Sequence, residues 1–317
     1  MAILEVDGLR KEYGDFVAVE GSTFSIGRGE VFGVVGPNGA GKTTTLKMLA
    51  GLIEPSGGSA TVAGYAPGEP AMQRQLGFLP EESPLYEEMT AVDYLTFFAD
   101  LYDVPSDVAR ERIHRTLDRL DLEHRDRRLG NVSKGMKRKV AIARALVNDP
   151  DVLIFDEPAS GLDPLTTNYI IEFTRELSDE GKTIVFSAHN LFHVESICDR
   201  IAVMNDGRIV ARGTLEEIRD AHGGTEYHVY ATVDASAALD AGRDAVGSRS
   251  GPSRSVAVSR ENGRVRHVVP EMADVEAIRE AVEANGGRVT DIRTETPSLE
   301  DIFLEIASDG PDGEAKA

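Results

Sequence analysis

The stretch "GVVGPNGAGKTTT" limits what this 317-residue chain can fold into more than any other. It contains Gly36, four intervening residues, then Gly41, Lys42 and Thr43. The strand-like run "VFGVV" precedes it, and "GKTTTLKMLAGLI" reads as a helix after it. Glycines at such a turn let the backbone wrap closely, so several N–H groups converge on one point. The helix that follows adds its positive N-terminus. This is the phosphate-loop pattern, whose amides face the β- and γ-phosphate oxygens of a nucleotide. Lys42 offsets phosphate charge, and the Thr43 hydroxyl can ligate Mg²⁺. The expected contacts are Gly36, Pro37, Asn38, Gly39, Ala40, Gly41, Lys42, Thr43 and Thr44. The plainer reading is an ordinary Gly-rich turn; the strand before and the helix after favour the loop.

A second feature bears on the same chemistry. "VLIFDEPASGLDP" places Asp156 and Glu157 at the end of an apolar strand, where ligands bind in open α/β sheets. Asp156 is the expected Mg²⁺ holder and Glu157 the group that polarises an attacking water. Adjacent carboxylates are common on plain surfaces, so the pair gains meaning only from the phosphate loop upstream. His189 ends the next apolar run, "IVFSAH". A lone histidine is more often structural, but this strand end puts it within reach of the same crevice and of a γ-phosphate.

The rest of the chain supplies the frame. "AILEVDGLRKEY" alternates like a half-buried strand, while "DVLIFDEP" and "KTIVFSAH" are continuous apolar runs, as in strands covered on both faces. The segment 81–149 is mostly helical in pattern, with Thr90 as a helix cap. "RIAVMNDGRIVARG" is a hairpin turning at Asn205-Asp206-Gly207. After Gly223-Gly224 the pattern becomes alternating strands with one helix, "DVEAIREAVEANGG", an α+β domain. "SRSGPSRS" reads as a loop inside it, and "SDGPDGEAKA" as a disordered polar tail.

Composition narrows the partners. The chain carries 34 Lys+Arg against 54 Asp+Glu, a net charge of −20. Such a surface repels phosphate polymers, so general nucleic-acid binding is not expected. Most basic residues are arginine, which suggests a salt-adapted cytoplasm; plain solubility is the blander reading. Cys198 reads as a small buried hydrophobe in a reducing compartment. The N-terminus lacks the charge and apolar run of a signal peptide, and no stretch approaches the roughly 18 apolar residues of a membrane span. Action at a membrane would need a partner.

"NVSKGMKRKVAIARAL", residues 131–146, allows two readings. Alone, its run KGMKRK is a basic patch. With Ser133 as N-cap, it is instead a helix presenting free N–H groups to a phosphate.

Taken in order, these residues resemble the nucleotide-binding subunit of an ABC transporter over about residues 3–220. The resemblance implies an α/β fold: a P-loop ATPase core with a helical subdomain at about 81–149, then a small C-terminal α+β domain. The expected divisions are 1–222, 223–307 and the tail 308–317. It implies that Tyr13 stacks on the adenine of ATP, with Phe16 as the alternative. It places Ser133 and Gly135 of "VSKGM" at the signature facing the γ-phosphate bound by another protomer, although Val132, Lys134 and Met136 depart from that pattern. Lys137, Arg138 and Lys139 would then lie on a solvated or subdomain-facing helix surface. Glu81 stands where the family usually has a glutamine that reaches Mg²⁺. Asp163 closes the Ser-Gly-Leu-Asp loop and joins the nucleotide contacts, and His189 is the switch histidine.

The implied reaction is hydrolysis of ATP with Mg²⁺, by in-line attack of water on the γ-phosphate. The implied partners are an integral membrane permease subunit and a second ATPase subunit, either a copy of this chain or a paralogue. The implied location is cytoplasmic, peripheral on the inner face of the membrane. "TPSLEDIFLEIA" resembles the ending of exporter-type ATPase subunits; by itself it reads as an amphipathic helix capped by Ser298. A soluble ATPase acting on ribosomes or nucleic acid, or a non-hydrolysing regulatory subunit, are the alternatives.

Overall fold

The computed structural model describes residues 2–188, 190–222, 226–232, 257–261, 264–295, 300 and 302–303. The chain divides into two compact units, Met1–Leu215 and Glu216–Ala317. The division falls one residue into a helix, before the Gly223-Gly224 break read from the sequence.

In the first unit, β1 (Ala2–Tyr13) pairs antiparallel with β2 (Phe16–Gly27) and with β4 (Gly57–Val62). Between them in sequence come β3 (Val31–Val35) and α1 (Lys42–Leu49). Then follow α2 (Pro70–Gln75), β5 (Leu76–Leu79), α3 (Ala91–Leu101), α4 (Ser106–Arg119) and α5 (Lys134–Leu146). The unit continues with β6 (Val152–Asp156), α6 (Pro164–Asp179), β7 (Thr183–Ala188) and α7 (Leu191–Ile197), and ends with the hairpin β8 (Arg200–Asn205) and β9 (Arg208–Gly213).

A second sheet runs β5-β6-β7-β3-β8-β9, parallel except for the last pair. Every residue of β3, β6 and β7 is buried, which explains their unbroken apolar sequences. The core gathers residues of the small sheet, such as Leu4, Phe24 and Ile26, with Leu46 and Leu49 of α1 and Phe32 and Ile154 of the large sheet. Phe24 and Phe32 stack at 5.2 Å between ring centroids. Each such side chain contributes about 1.5–3 kcal/mol by leaving water. Thr90 caps α3 by accepting from Asp93 N–H, as its sequence position predicts.

The consequence for function lies at one edge. β3, β7 and β6 are neighbours and parallel, so their carboxyl ends lie side by side. The phosphate-loop sequence leaves the first, and Asp156 and Glu157 leave the third.

From the point of division run α8 (Leu215–His222), β10 (Glu226–Thr232), β11 (Ala257–Glu261), β12 (Arg264–Val269), α9 (Met272–Ala284) and β13 (Arg288–Glu295). The strands form one antiparallel sheet in the order β11-β12-β10-β13. Val275, Ile278 and Val282 of α9 pack on Val229, Ala231 and Val269. This is the α+β arrangement expected from the alternating pattern. "SRSGPSRS", Ser298 and the tail 308–317 lie outside the described residues. Among the described residues no helix is long and apolar enough to cross a membrane.

Candidate functional site

The loop from Gly36 to Thr44 has no room for a side chain at Gly36 or Gly41. A Cβ on Gly36 would lie 2.3 Å from the Met204 carbonyl oxygen. A Cβ on Gly41 would lie 2.5 Å from the Ala18 carbonyl, and Gly41 adopts φ +99°, a left-handed value that favours glycine. Gly41 is also the N-cap of α1 and offers no side chain there, so the first N–H groups of the helix stay open to a ligand. Lys42 is 6% exposed. Its ammonium donates to the carbonyls of Gly36 at 2.7 Å and Pro37 at 3.1 Å. Burial lowers its pKa, and the carboxylates of Glu157, Asp156 and Glu81 oppose that shift. A cleft of about 680 Å³ opens over the loop, lined by Phe16, Ala18, residues 37–44, Glu81, Glu157 and Ser160.

Asp156 is fully buried at the end of β6. One of its oxygens, Oδ1, accepts the Ser187 hydroxyl at 2.7 Å and the Thr43 hydroxyl at 3.3 Å. The other, Oδ2, is buried and has no hydrogen-bond partner among the described residues. An unpartnered carboxylate oxygen beside a hydroxyl is a donor set that suits a hard cation such as Mg²⁺. Among the described residues no group of three or more His, Cys, Asp or Glu could hold a metal ion. A cation here would therefore complete its shell with water and substrate oxygens, as Mg²⁺ does at phosphates.

Glu157 follows in a left-handed conformation, φ +48°. That is costly for a non-glycine residue and is held by bonds on both sides. Its N–H donates to Ser187 Oγ at 2.9 Å. Its carbonyl accepts the Ser160 N–H at 3.1 Å and Arg138 Nη2 at 2.7 Å. The side chain, 9% exposed, reaches within 4.0 Å of the Lys42 ammonium. The loop cation, the metal-suited carboxylate and the second carboxylate thus converge from two strand ends.

Of the two surfaces expected for Arg138, the structure excludes the solvated one: the residue is 8% exposed, on a face of α5 turned to the strand end at 156–158, and saturated with protein acceptors. Burial pushes its pKa down to about 10, so it remains a cation at neutral pH. Helical spacing held the signal: Arg138 shares a face with the buried Ala141, Ile142 and Ala145. Its neighbours are also engaged, Lys137 by Glu87 at 2.9 Å and Lys139 over the Tyr169 ring at 4.4 Å. Ser187 is a second residue missed; its register partner in β7 to β6 is Asp156.

The remaining expected residues divide. Glu81 lines the loop cleft. Of the aromatic pair, Phe16 lines the cleft, whereas Tyr13, its register partner, sits with Lys11 over its ring at 5.1 Å. Ser133 caps α5 by accepting the Met136 N–H at 3.2 Å, as expected. Neither Ser133 nor Gly135 lines this cleft. Asp163 is a helix cap: one oxygen accepts the Thr166 N–H and the other its hydroxyl, which lowers the pKa of this exposed carboxyl. It lies outside the cleft lining. His189 lies outside the described residues. Cys198 is buried, and its thiol pKa is pushed far up by that burial.

Comparison with known proteins agrees with this geometry. The ABC transporter family matches residues 19–160, and the "ATP-binding protein DrrA1-3-like, C-terminal domain" family matches residues 213–307. The linearmycin resistance ATP-binding protein LnrL of Bacillus subtilis is 37% identical over 70% of this chain and 72% of its own length. The ABC transporter ATP-binding protein NatA of the same organism is 42% identical over 64% of this chain and 85% of its own. A solved structure of an ATP-binding subunit of an ABC transporter superposes with a TM-score of 0.64 at 37% identity, covering 69% of this chain and 92% of that one. The chain spans 64% to 85% of the length of the first four curated relatives it matches. A core with a phosphate-loop sequence between strand and helix, an acidic strand end and a helix capped by Ser133, followed by a DrrA-like C-terminal part, agrees with the matches that make this chain a member of the ABC transporter ATP-binding proteins, a family whose members hydrolyse ATP for transport.

Proposed function

We infer that this chain hydrolyses ATP at an interface between two ATPase subunits and so drives transport, in the export direction, through a separate membrane permease. The observation that carries the reading is the convergence of Lys42 and Glu157, 4.0 Å apart, beside a buried Asp156, one of whose oxygens has no partner among the described residues. The loop amides and Lys42 bind and stabilise the β- and γ-phosphates. Thr43 and Asp156 would hold Mg²⁺, with Glu81 at the same cleft; the ion would offset phosphate charge. Glu157 orients the attacking water and accepts its proton. His189 senses the γ-phosphate. Adenine stacks on Tyr13 or, as the alternative, on Phe16, which lines the cleft.

Ser133 and Gly135 do not line the chain's own loop cleft, which supports their role toward ATP held by the second subunit. The open N-terminus of α5 would meet that γ-phosphate. Asp163 then acts on the pair of subunits through the loop it closes, since its own oxygens serve Thr166. Closure on ATP and opening after hydrolysis move the permease. The chain is peripheral on the cytoplasmic face. A relative from Ralstonia nicotianae that is 40% identical and named for Nod factor export supports outward transport.

The test uses Glu157→Gln in the full chain. Turnover should fall about 10²- to 10⁴-fold while ATP binding persists. Purified with ATP from its native membranes, the variant should bring down a polytopic membrane protein in stoichiometric amount. Near-normal hydrolysis would remove Glu157 from its role. Recovery of ribosomes or nucleic acid alone, with folded ATP-bound protein, would move the chain to the soluble ATPases.

A further inference from the structure

Arg138 occupies a position that phosphate binding does not explain. Among the described residues none of its hydrogen bonds goes to the phosphate loop, yet all three guanidinium nitrogens are engaged. Nε donates to the Pro158 carbonyl at 2.7 Å. Nη2 donates to the carbonyls of Glu157 at 2.7 Å and Asp156 at 3.1 Å. Nη1 donates to the carbonyls of Pro80 at 2.7 Å and Glu81 at 2.9 Å, and reaches Ser83 Oγ at 3.2 Å. These acceptors sit just where β5 and β6 end and the sheet ladder stops supplying donors. Buried carbonyls need donors from elsewhere, and a planar five-proton fork is the side chain that can serve several at once.

We propose that Arg138 is a positioning residue for hydrolysis, locking the backbone of Glu157 in register with the segment 80–83 that carries Glu81. The strained peptide at Glu157 is held at its N–H by Ser187 and at its carbonyl by Arg138. The same cation grips both walls of the loop cleft, because Glu81 and Glu157 each line it. A displacement of Glu81 by an arriving nucleotide is thereby passed to Glu157 through one rigid plane. Lysine keeps the charge but cannot reproduce the spread of donors, so it separates charge from geometry. The inference rests on Glu157 as the water-orienting group.

The experiment compares wild type, Arg138→Lys, Arg138→Gln, Glu157→Gln and the double variant Arg138→Lys/Glu157→Gln. Readouts are ATP affinity by equilibrium binding and single-turnover hydrolysis, in the full chain. The expected result is ATP affinity within about threefold of wild type and hydrolysis reduced about tenfold to a hundredfold in both Arg138 variants, the usual size of a small misplacement. In the Glu157→Gln background Arg138→Lys should add no further loss, because both act through one group. Normal hydrolysis in Arg138→Lys would overturn the proposal. So would full additivity in the double variant, or loss of ATP affinity together with turnover, which would make Arg138 a fold element only. Failure of the underlying reading shows separately, as unimpaired turnover in Glu157→Gln alone.

Discussion

Lys42 and Arg138 are both cations drawn out of water, at 6% and 8% exposure, and both give their protons to backbone carbonyls. Burial depresses each, and the same carboxylates, Glu157, Asp156 and Glu81, hold each up. The difference lies in the acceptors. Lys42 donates to two carbonyls of its own loop, five and six residues before it. Those bonds can be exchanged for phosphate oxygens without moving any other element. Arg138 donates to carbonyls 18 to 20 residues later and 57 to 58 residues earlier, on two different strand ends. Releasing them would take a donor at once from the carbonyls of Asp156, Glu157 and Pro158 at a buried strand end. One cation is built to be recruited by a ligand, the other to keep two walls of the site together.

The largest test of that contrast is Lys42→Ala. Removing the recruitable cation should lower ATP affinity by about tenfold to a hundredfold, the value of a charge-assisted bond to phosphate. The melting temperature should change little, because the loop carbonyls lie beside an open cleft and can take water. Equilibrium binding and a thermal melt of the same preparation decide it. Unchanged affinity would remove Lys42 from the phosphate site, and a collapse of stability would make it resemble Arg138.

Ser187→Ala sharpens the comparison from the other side of Glu157. The hydroxyl donates to Asp156 Oδ1 and accepts from Glu157 N–H, so its loss loosens both carboxylates. A buried donor and acceptor lose their partner, at a cost of about 1–3 kcal/mol. Hydrolysis should fall by about fivefold to fiftyfold, with ATP affinity within about threefold. The ratio of turnover to affinity separates this from a loop defect. A fall in affinity equal to the fall in turnover would show that Ser187 serves phosphate binding instead.

The contrast also explains what the sequence discloses. Lys42 is legible because every group it needs is nearby in the chain: strand, glycines, cation and helix are contiguous. The strand end at Asp156 and Glu157, the hairpin at Asn205–Gly207 and the caps at Thr90 and Ser133 are legible for the same reason. Arg138 is not, since its partners come from residues 80–83 and 156–158 and only the folded sheet brings them together. Its place between Lys137 and Lys139 fits a solvated face and a subdomain-facing one equally. The helical period that puts it in line with Ala141 and Ile142 was the available signal. Ser187 was hidden similarly, because its role depends on the β6–β7 register. The small sheet was only partly legible: β4, "GGSATV", is short and half exposed, and its strand character comes from pairing with β1.

The smallest effect belongs to a third buried polar side chain, one with neither kind of partner. His267 on β12 is fully buried, and neither ring nitrogen has a hydrogen-bond partner among the described residues. Burial lowers its pKa below the ordinary value. The unfolded chain takes up a proton near pH 6.5, whereas the folded chain resists it until lower pH. The unfolded state therefore binds more protons in that interval, and stability falls as pH drops from about 6.5 through the folded pKa. Above that range both states are neutral at this residue and it adds no slope. Amide exchange at β10 and β12, corrected for intrinsic rates, should lose protection between pH 7 and pH 5 in wild type. In His267→Leu the fall should be shallower, because no proton is left to exclude. Identical profiles would mean that the imidazole is not kept neutral by the fold. A steeper fall in the variant would mean that the folded chain binds the proton on this ring more tightly than the unfolded chain does, so that the fold holds a cation there as it does at Arg138.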